Sequence, residues 1–266
     1  MIIDQRISDN TISGCSNGNF VYYNFGSENA DPIYGYQISG FTFDSNNFDS
    51  SPTSFFEIVG KSTNYPITIS DCSFISNKGI ALFLPYESYI NSYDLQRCLF
   101  QSNINYDQHA IIEMDPIKVI TFSSCRFLDN TAHYGVIAVN CVADCTFQSD
   151  CTFERNHGTD CHCIYAQAAS ELIVFASFSD NYKEDQEAPC IHSRVRTTLF
   201  ECKFTKDSTI SYSSGGILID QDVNFTAIGC TFQLGNTGSS CGPIRYAPLN
   251  NEKQVTIERC TFSDNV

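Results

Sequence analysis

One pattern constrains this chain more than any other: Cys-x-Phe-x-x-Asn recurs along it at nearly constant spacing. Intact copies stand at Cys72/Phe74/Asn77, Cys98/Phe100/Asn103, Cys125/Phe127/Asn130, Cys151/Phe153/Asn156 and Cys260/Phe262/Asn265. Altered copies stand at Phe41/Phe43/Asn46, Ala176/Phe178/Asn181, Cys202/Phe204/Asp207 and Cys230/Phe232, the last followed by Gly235-Asn236. From Cys72 onward the steps are 26, 27, 26, 25, 26, 28 and 30 residues. A period in this range marks a solenoid, in which each repeat buries its apolar face only by stacking on its neighbours.

Each repeat reads as short strands. Apolar or β-favouring residues sit five and three positions before the Cys, as at Ile67/Ile69, Tyr93/Leu95, Ile120/Phe122 and Val255/Ile257. That alternation gives a strand with one inward face. The Cys and Phe form a second inward pair, and the unpatterned residues between the pairs predict a bend. A third apolar start follows the Asn, at Gly79-Ile80-Ala81-Leu82, Gly135-Val136-Ile137, Cys163-Ile164-Tyr165, Cys190-Ile191-His192 and Gly216-Ile217-Leu218. No 3.6-residue period appears, and the repeat is too short for a βαβ unit. The expected fold is all-β: a single-stranded parallel β-helix of about nine turns with three short strands per turn, roughly 43 Å long at ~4.8 Å per turn. Equivalent side chains then stack, with Phe filling the bore and Asn amides satisfying one another. Residues 1–35 are expected to form an irregular first turn or cap, and 36–266 the β-helix.

The pairing of Phe-x-x-Asn with a downstream Gly215-Gly216-Ile217, or its small-apolar equivalent, resembles the repeats of the polymorphic outer membrane proteins. Their passenger regions are right-handed parallel β-helices of the pectin-lyase-like type. The resemblance covers about residue 36 to the end. It implies surface display and adhesion, with cell-surface proteins or glycans as partners and an extracellular or cell-surface location. It implies no catalytic site and no cofactor.

Composition narrows the partners. With 30 Asp and Glu against 15 Lys and Arg, the net charge of −15 argues against nucleic acid. No apolar run reaches the ~18 residues of a membrane span, so this segment is not expected to insert. Met1-Ile-Ile-Asp-Gln-Arg lacks the blocks of a signal peptide. The last repeat stops one residue past Asn265 without a visible cap, which reads as a fragment or as a cap supplied by a partner. Seven of the 14 Cys (Cys72, Cys98, Cys125, Cys151, Cys202, Cys230 and Cys260) share one inward column and serve as small apolar fillers, leaving the redox compartment open. Cys163 and Cys190 share a place in adjacent turns, where a disulfide is geometrically conceivable.

Four features carry candidate chemistry. Cys161-His162-Cys163 with His157, Cys190 and His192 has zinc-compatible residue types, but on a strand His162 would face away from the two thiols, so filler is the expected role. Arg194 should lie opposite Asp220 or Asp222 one turn on; this is either a cross-rung ion pair or the acid/base set of a polysaccharide lyase or hydrolase. The ion pair is the expected reading. Tyr86, Tyr89 and Tyr93 in one insertion could stack on sugar rings, and Glu184, Asp185 and Glu187 in another could hold Ca²⁺. Solvated loops are the expected reading of both.

Overall fold

The computed structural model describes residues 6–8, 11–14, 21–25, 36–47, 54–60, 67–84, 92–107, 109–114, 119–140, 144–167, 169–181, 188–207, 216–233, 242–247 and 253–264. All regular structure among them is strand, and every strand pairing is parallel. The chain is a parallel β-solenoid.

The period seen in the sequence is the register of the sheets. Ile67 pairs with Tyr93, Tyr93 with Ile120, Ile120 with Cys145 and Cys145 with Leu172, and this first strand of each turn points alternate residues into the bore. The second strand carries the Phe, with Phe74 opposite Phe100, Phe100 opposite Phe127 and Phe127 opposite Phe153. Cys145/Phe147 thus belongs to the first strand, and Cys151/Phe153 is the true repeat member. The third strand builds a nine-stranded sheet running from Val21–Phe25 to Ile244–Tyr246. A two-residue fourth strand, which the sequence did not announce, follows the Asn at Ile104–Asn105, Thr131–Ala132 and His157–Gly158. Upstream of residue 36, Arg6–Ser8, Thr11–Ser13 and Val21–Phe25 pair in the same sense with Tyr36–Ser39, Thr42–Asp44 and Ser54–Gly60.

Two corners per turn make this geometry possible. Asp71, Arg97, Ser124, Glu201 and Arg259, each just before the Cys, have φ of 52 to 55°. Ser45, Ser76, Ser102, Asp129, Arg155, Asp180, Lys206 and Asp264, each just before the Asn position, have φ of 53 to 57°. A single left-handed residue swings the strand sharply, at a cost of about 1–2 kcal/mol for a side chain with a Cβ. Most corner N–H groups find a carbonyl in the next turn, as with Arg97 N to Ser123 O at 2.8 Å and Ser102 N to Leu128 O at 2.9 Å, while Ser124 N donates to Asp150 Oδ1 at 2.8 Å. The first corner varies in length. Val174 to Ala176 is one residue shorter than Ile69 to Cys72, and there Glu171–Ser179 runs through as one strand with unbroken alternation. Phe147 to Cys151 in the turn before is one residue longer than usual, so a first-strand step of 27 residues becomes the single 25-residue step at Ala176.

Beside the inward residues of the first and third strands, two columns run the length of the bore. Nine rings, Phe43, Phe74, Phe100, Phe127, Phe153, Phe178, Phe204, Phe232 and Phe262, stack with centroids 4.5 to 5.4 Å apart and planes within 15°. Beside them, the buried thiols of Cys72, Cys98, Cys125, Cys151, Cys202 and Cys230 form the second column. These thiols are free and donate to carbonyls, for example Cys125 Sγ to Leu95 O at 3.4 Å.

At the second corner the Asn side chains form a continuous ladder. Asn103 Oδ1 accepts the backbone and side-chain N–H of Asn77, both at 3.0 Å, while its Nδ2 donates to Phe74 O at 2.8 Å and to Asn130 Oδ1 at 3.0 Å. Asn46, Asn77, Asn130 and Asn156 repeat the scheme, and Asn181 makes the same bonds to Phe153 O and Asp207. All four hydrogen-bonding positions of an interior amide are thereby used, which is what allows a side chain this polar to be fully buried.

Candidate functional site

With the bore given over to packing, polar and aromatic side chains collect outside, on the nine-stranded sheet. Its register sets Glu113, Ala138, Tyr165, His192, Leu218 and Arg245 in one outward column. Inward neighbours such as Ile164, Ala166 and Ile191 are buried, so the strands hold the outward side chains from beneath.

The densest part of this face runs through four successive turns. Tyr134 stacks on Tyr165, with centroids 5.1 Å apart and planes 25° apart, and His133 meets Tyr134 edge-on at 4.7 Å. His192 stands edge-on to Tyr165 at 5.1 Å, and the Arg194 guanidinium lies 6.0 Å from the Tyr165 ring centre. That distance is at the outer limit of cation–π attraction. Burial pushes the Tyr165 phenol above its ordinary value.

Arg194 and Asp220 are brought together by the strand register, in which Ser193 faces Ile219. Arg194 Nε donates to both Asp220 oxygens at 3.1 Å, and His192 Nε2 donates to Asp220 Oδ2 at 2.9 Å. A buried hydroxyl pair, Ser193 Oγ and Thr197 Oγ1 at 2.7 Å, braces the turn that carries Arg194; Ser193 Oγ also accepts the Val195 N–H. Asp222 lies two residues beyond Asp220, where its charge acts on Tyr246. Among the described residues Arg194 Nη1 and Nη2 have no acceptor within hydrogen-bonding distance, and the side chain is 31% exposed. The arrangement can therefore offer a guanidinium edge and the partly exposed Tyr134 ring, with Tyr165, 7% exposed, between them. The Asp220 carboxylate itself is engaged on both oxygens. Two further carboxylates on this face are also paired, Asp160 standing 3.7 Å from His133 and Glu113 2.8 Å from His109.

The remaining sequence candidates fall out differently. The strand expected through Cys161–Cys163 begins only at Ile164, and Cys161, His162 and Cys163 are all buried. His162 turns inward because its Nδ1 accepts the Gly158 N–H at 3.0 Å, and burial lowers its pKa to about 3, so it stays neutral. A side chain on Gly158 would not leave room for this turn: a Cβ there would come within 1.6 Å of Cys161 O. Burial raises the Cys161, Cys163 and Cys190 thiols, and Cys163 and Cys190 are free, with sulfurs 3.4 Å apart. Among the described residues no group of three His, Cys, Asp or Glu could hold a metal ion. Tyr93 does not face solvent; it is 1% exposed, between Ile67 and Ile120 of adjacent turns. Tyr86, Tyr89, Glu184, Asp185 and Glu187 lie outside the described residues, as do Asn236 and Asn265. Tyr165 and Tyr134 escaped sequence reading because they lie 29 and 60 residues before Arg194 and carry no motif of their own; His192, two residues from Arg194, was read only with the zinc-compatible residues. Only the third-strand register, which is looser in sequence than the Cys/Phe/Asn register, aligns them.

No protein-family model, no curated protein and no solved structure matches the chain. Among the described residues no helix is long and apolar enough to cross a membrane.

Proposed function

We propose that the chain is a non-catalytic β-solenoid scaffold that presents one outer face and its turn loops for contact with another surface or with a glycan, in the manner of the passenger repeats of polymorphic outer membrane proteins. One observation carries the reading. The interior is committed to packing by the Phe stack and the Asn ladder, while Tyr134, Tyr165, His192, Arg194 and Asp220 converge on one face of the nine-stranded sheet. Aromatic surface beside a guanidinium edge suits recognition of sugars or polar protein side chains, where stacking and directed donors act together.

A second reading, a polysaccharide lyase or hydrolase of the pectin-lyase-like type, draws on the grouping of Asp220, His192 and Arg194. It is the weaker one, because acid/base work needs a carboxylate free to exchange protons with substrate, and Asp220 is tied into ion pairs on both oxygens. The two readings separate in one experiment. Purified protein is exposed to immobilised glycans and to pectin-like polymers, alongside Arg194→Ala and Asp220→Asn. The scaffold reading expects retention on glycans or cell surfaces that falls at least about tenfold in Arg194→Ala, a loss of ~1.4 kcal/mol, with no sugar released. Release of sugar by the wild type, abolished in Asp220→Asn, would overturn it in favour of the enzyme.

A further inference from the structure

The Asn ladder ends among the described residues on an acid. Asp207 occupies the Asn position of its turn, 3% exposed, and its Oδ1 accepts the Asn181 backbone N–H at 2.8 Å and Asn181 Nδ2 at 3.0 Å. In these two bonds it copies an asparagine. In the third it does not. Five interior amides use Nδ2 to donate to the Phe carbonyl of the preceding turn, Asn156 to Phe127 O at 2.8 Å and Asn181 to Phe153 O at 2.9 Å among them. In Asp207 the corresponding atom is Oδ2, which is buried without a hydrogen-bond partner, and the repeat sets it toward Phe178 O. Two acceptors cannot share a proton that is not there. A buried, bare carboxylate oxygen facing a carbonyl costs several kcal/mol, whereas a carboxylic acid O–H is a near-isostere of the amide N–H.

We infer that Asp207 is carried in the folded protein as a neutral carboxylic acid whose Oδ2–H donates to Phe178 O, so that the last described member of the ladder is proton-dependent and the rod carries a pH-sensitive seam between the turns of Asn181 and Asp207. The ionisable surroundings agree. Asp180, next to Asn181, adds like charge, and burial, the largest influence, lifts the Asp207 carboxyl to about 8. The thiols of Cys163 and Cys190, raised chiefly by burial, bring no positive charge to Asp207. Lys206 is the chain neighbour on the corner, and its ammonium brings no counter-charge into the bore, since Asp207 Oδ2 remains unpaired.

The consequence has a definite sign. An unfolded Asp gives up its proton near 3.9, and the folded one near 8. Between these values the folded state holds more protons than the unfolded state, so stability is highest at the acid end and falls as pH rises through the window. The folded-to-unfolded ratio should drop by up to about tenfold per pH unit there. Urea denaturation of the wild type and Asp207→Asn from pH 5 to pH 9 tests this. The difference between the two isolates residue 207 from the other acids. Asp207→Asn should be the more stable protein at pH 8, with the gap closing toward pH 5. Parallel profiles, or a variant that is less stable at pH 8, would overturn the inference. Should Asp207→Asn not fold, carbon-13 NMR of aspartate-labelled wild type gives a second reading. One carboxyl carbon titrating near pH 8 supports the neutral acid, and all aspartates titrating below about 5 exclude it.

Discussion

An interior amide of the ladder contributes through what its loss would expose. Removing the Asn130 side chain leaves Asn103 N and Nδ2, Phe100 O and Asn156 Oδ1 short of a partner in a site closed to water. At about 1–3 kcal/mol for each buried group left bare, Asn130→Ala should cost at least ~3 kcal/mol, read as a fall in the urea midpoint without a change in slope. Surface ion pairs weigh far less. Arg97 donates to Asp71 at 2.7 Å and holds that carboxyl below its usual range, yet both side chains are half exposed, so Asp71→Asn should move stability by less than ~1 kcal/mol. Asn and Phe were legible in the sequence because identity at a fixed interval survives wherever stacking demands one shape. The corner residues were not. Ser102, Asp129, Arg155 and Lys206 all adopt the same left-handed conformation, but with their side chains outside the bore nothing restricts their chemical type, and glycine marks only a few corners, Gly14, Gly40 and Gly229.

At the scale of the strand and its neighbours, the ring column dominates. Phe127 lies between Phe100 and Phe153, at 5.4 and 4.5 Å, with Phe122 against its edge at 6.1 Å. Truncation leaves a ring-sized cavity that parallel strands at fixed spacing cannot close. Phe127→Ala should therefore cost roughly 3–5 kcal/mol by chemical denaturation, and a loss below ~1 kcal/mol would mean that the ring contributes little to the bore. The first two strands of each turn were readable from period-2 alternation. The third was readable only as an apolar start, because its outward residues, from Glu113 through Tyr165 to Arg245, share no type. The candidate face joins two of those outward residues, Tyr165 and His192, to residues of the adjoining turns, and of it the sequence supplied the Arg194–Asp220 pair and, under another reading, His192. That pair was visible because opposite charges one period apart suggest a cross-rung contact, and the register selects Asp220 over Asp222.

For the whole molecule, in-register stacking makes each turn interchangeable with the next. Arg126 pairs with Leu99 and Phe127 with Phe100, so deleting Leu99 through Cys125 would splice Cys98 to the residue that already sits above its own successor. The shortened chain should still fold, keep its β-sheet circular dichroism, and lose roughly 5 Å of length by small-angle scattering. Deleting half that span would set Phe against a corner and should leave the protein unfolded. A cross-section that tolerates loss by whole periods tolerates gain by them as well. Duplication of one gene segment of this size would lengthen the rod without redesigning it, and the uneven copies around Ala176 and Asp207 are the kind of divergence that such copying leaves behind.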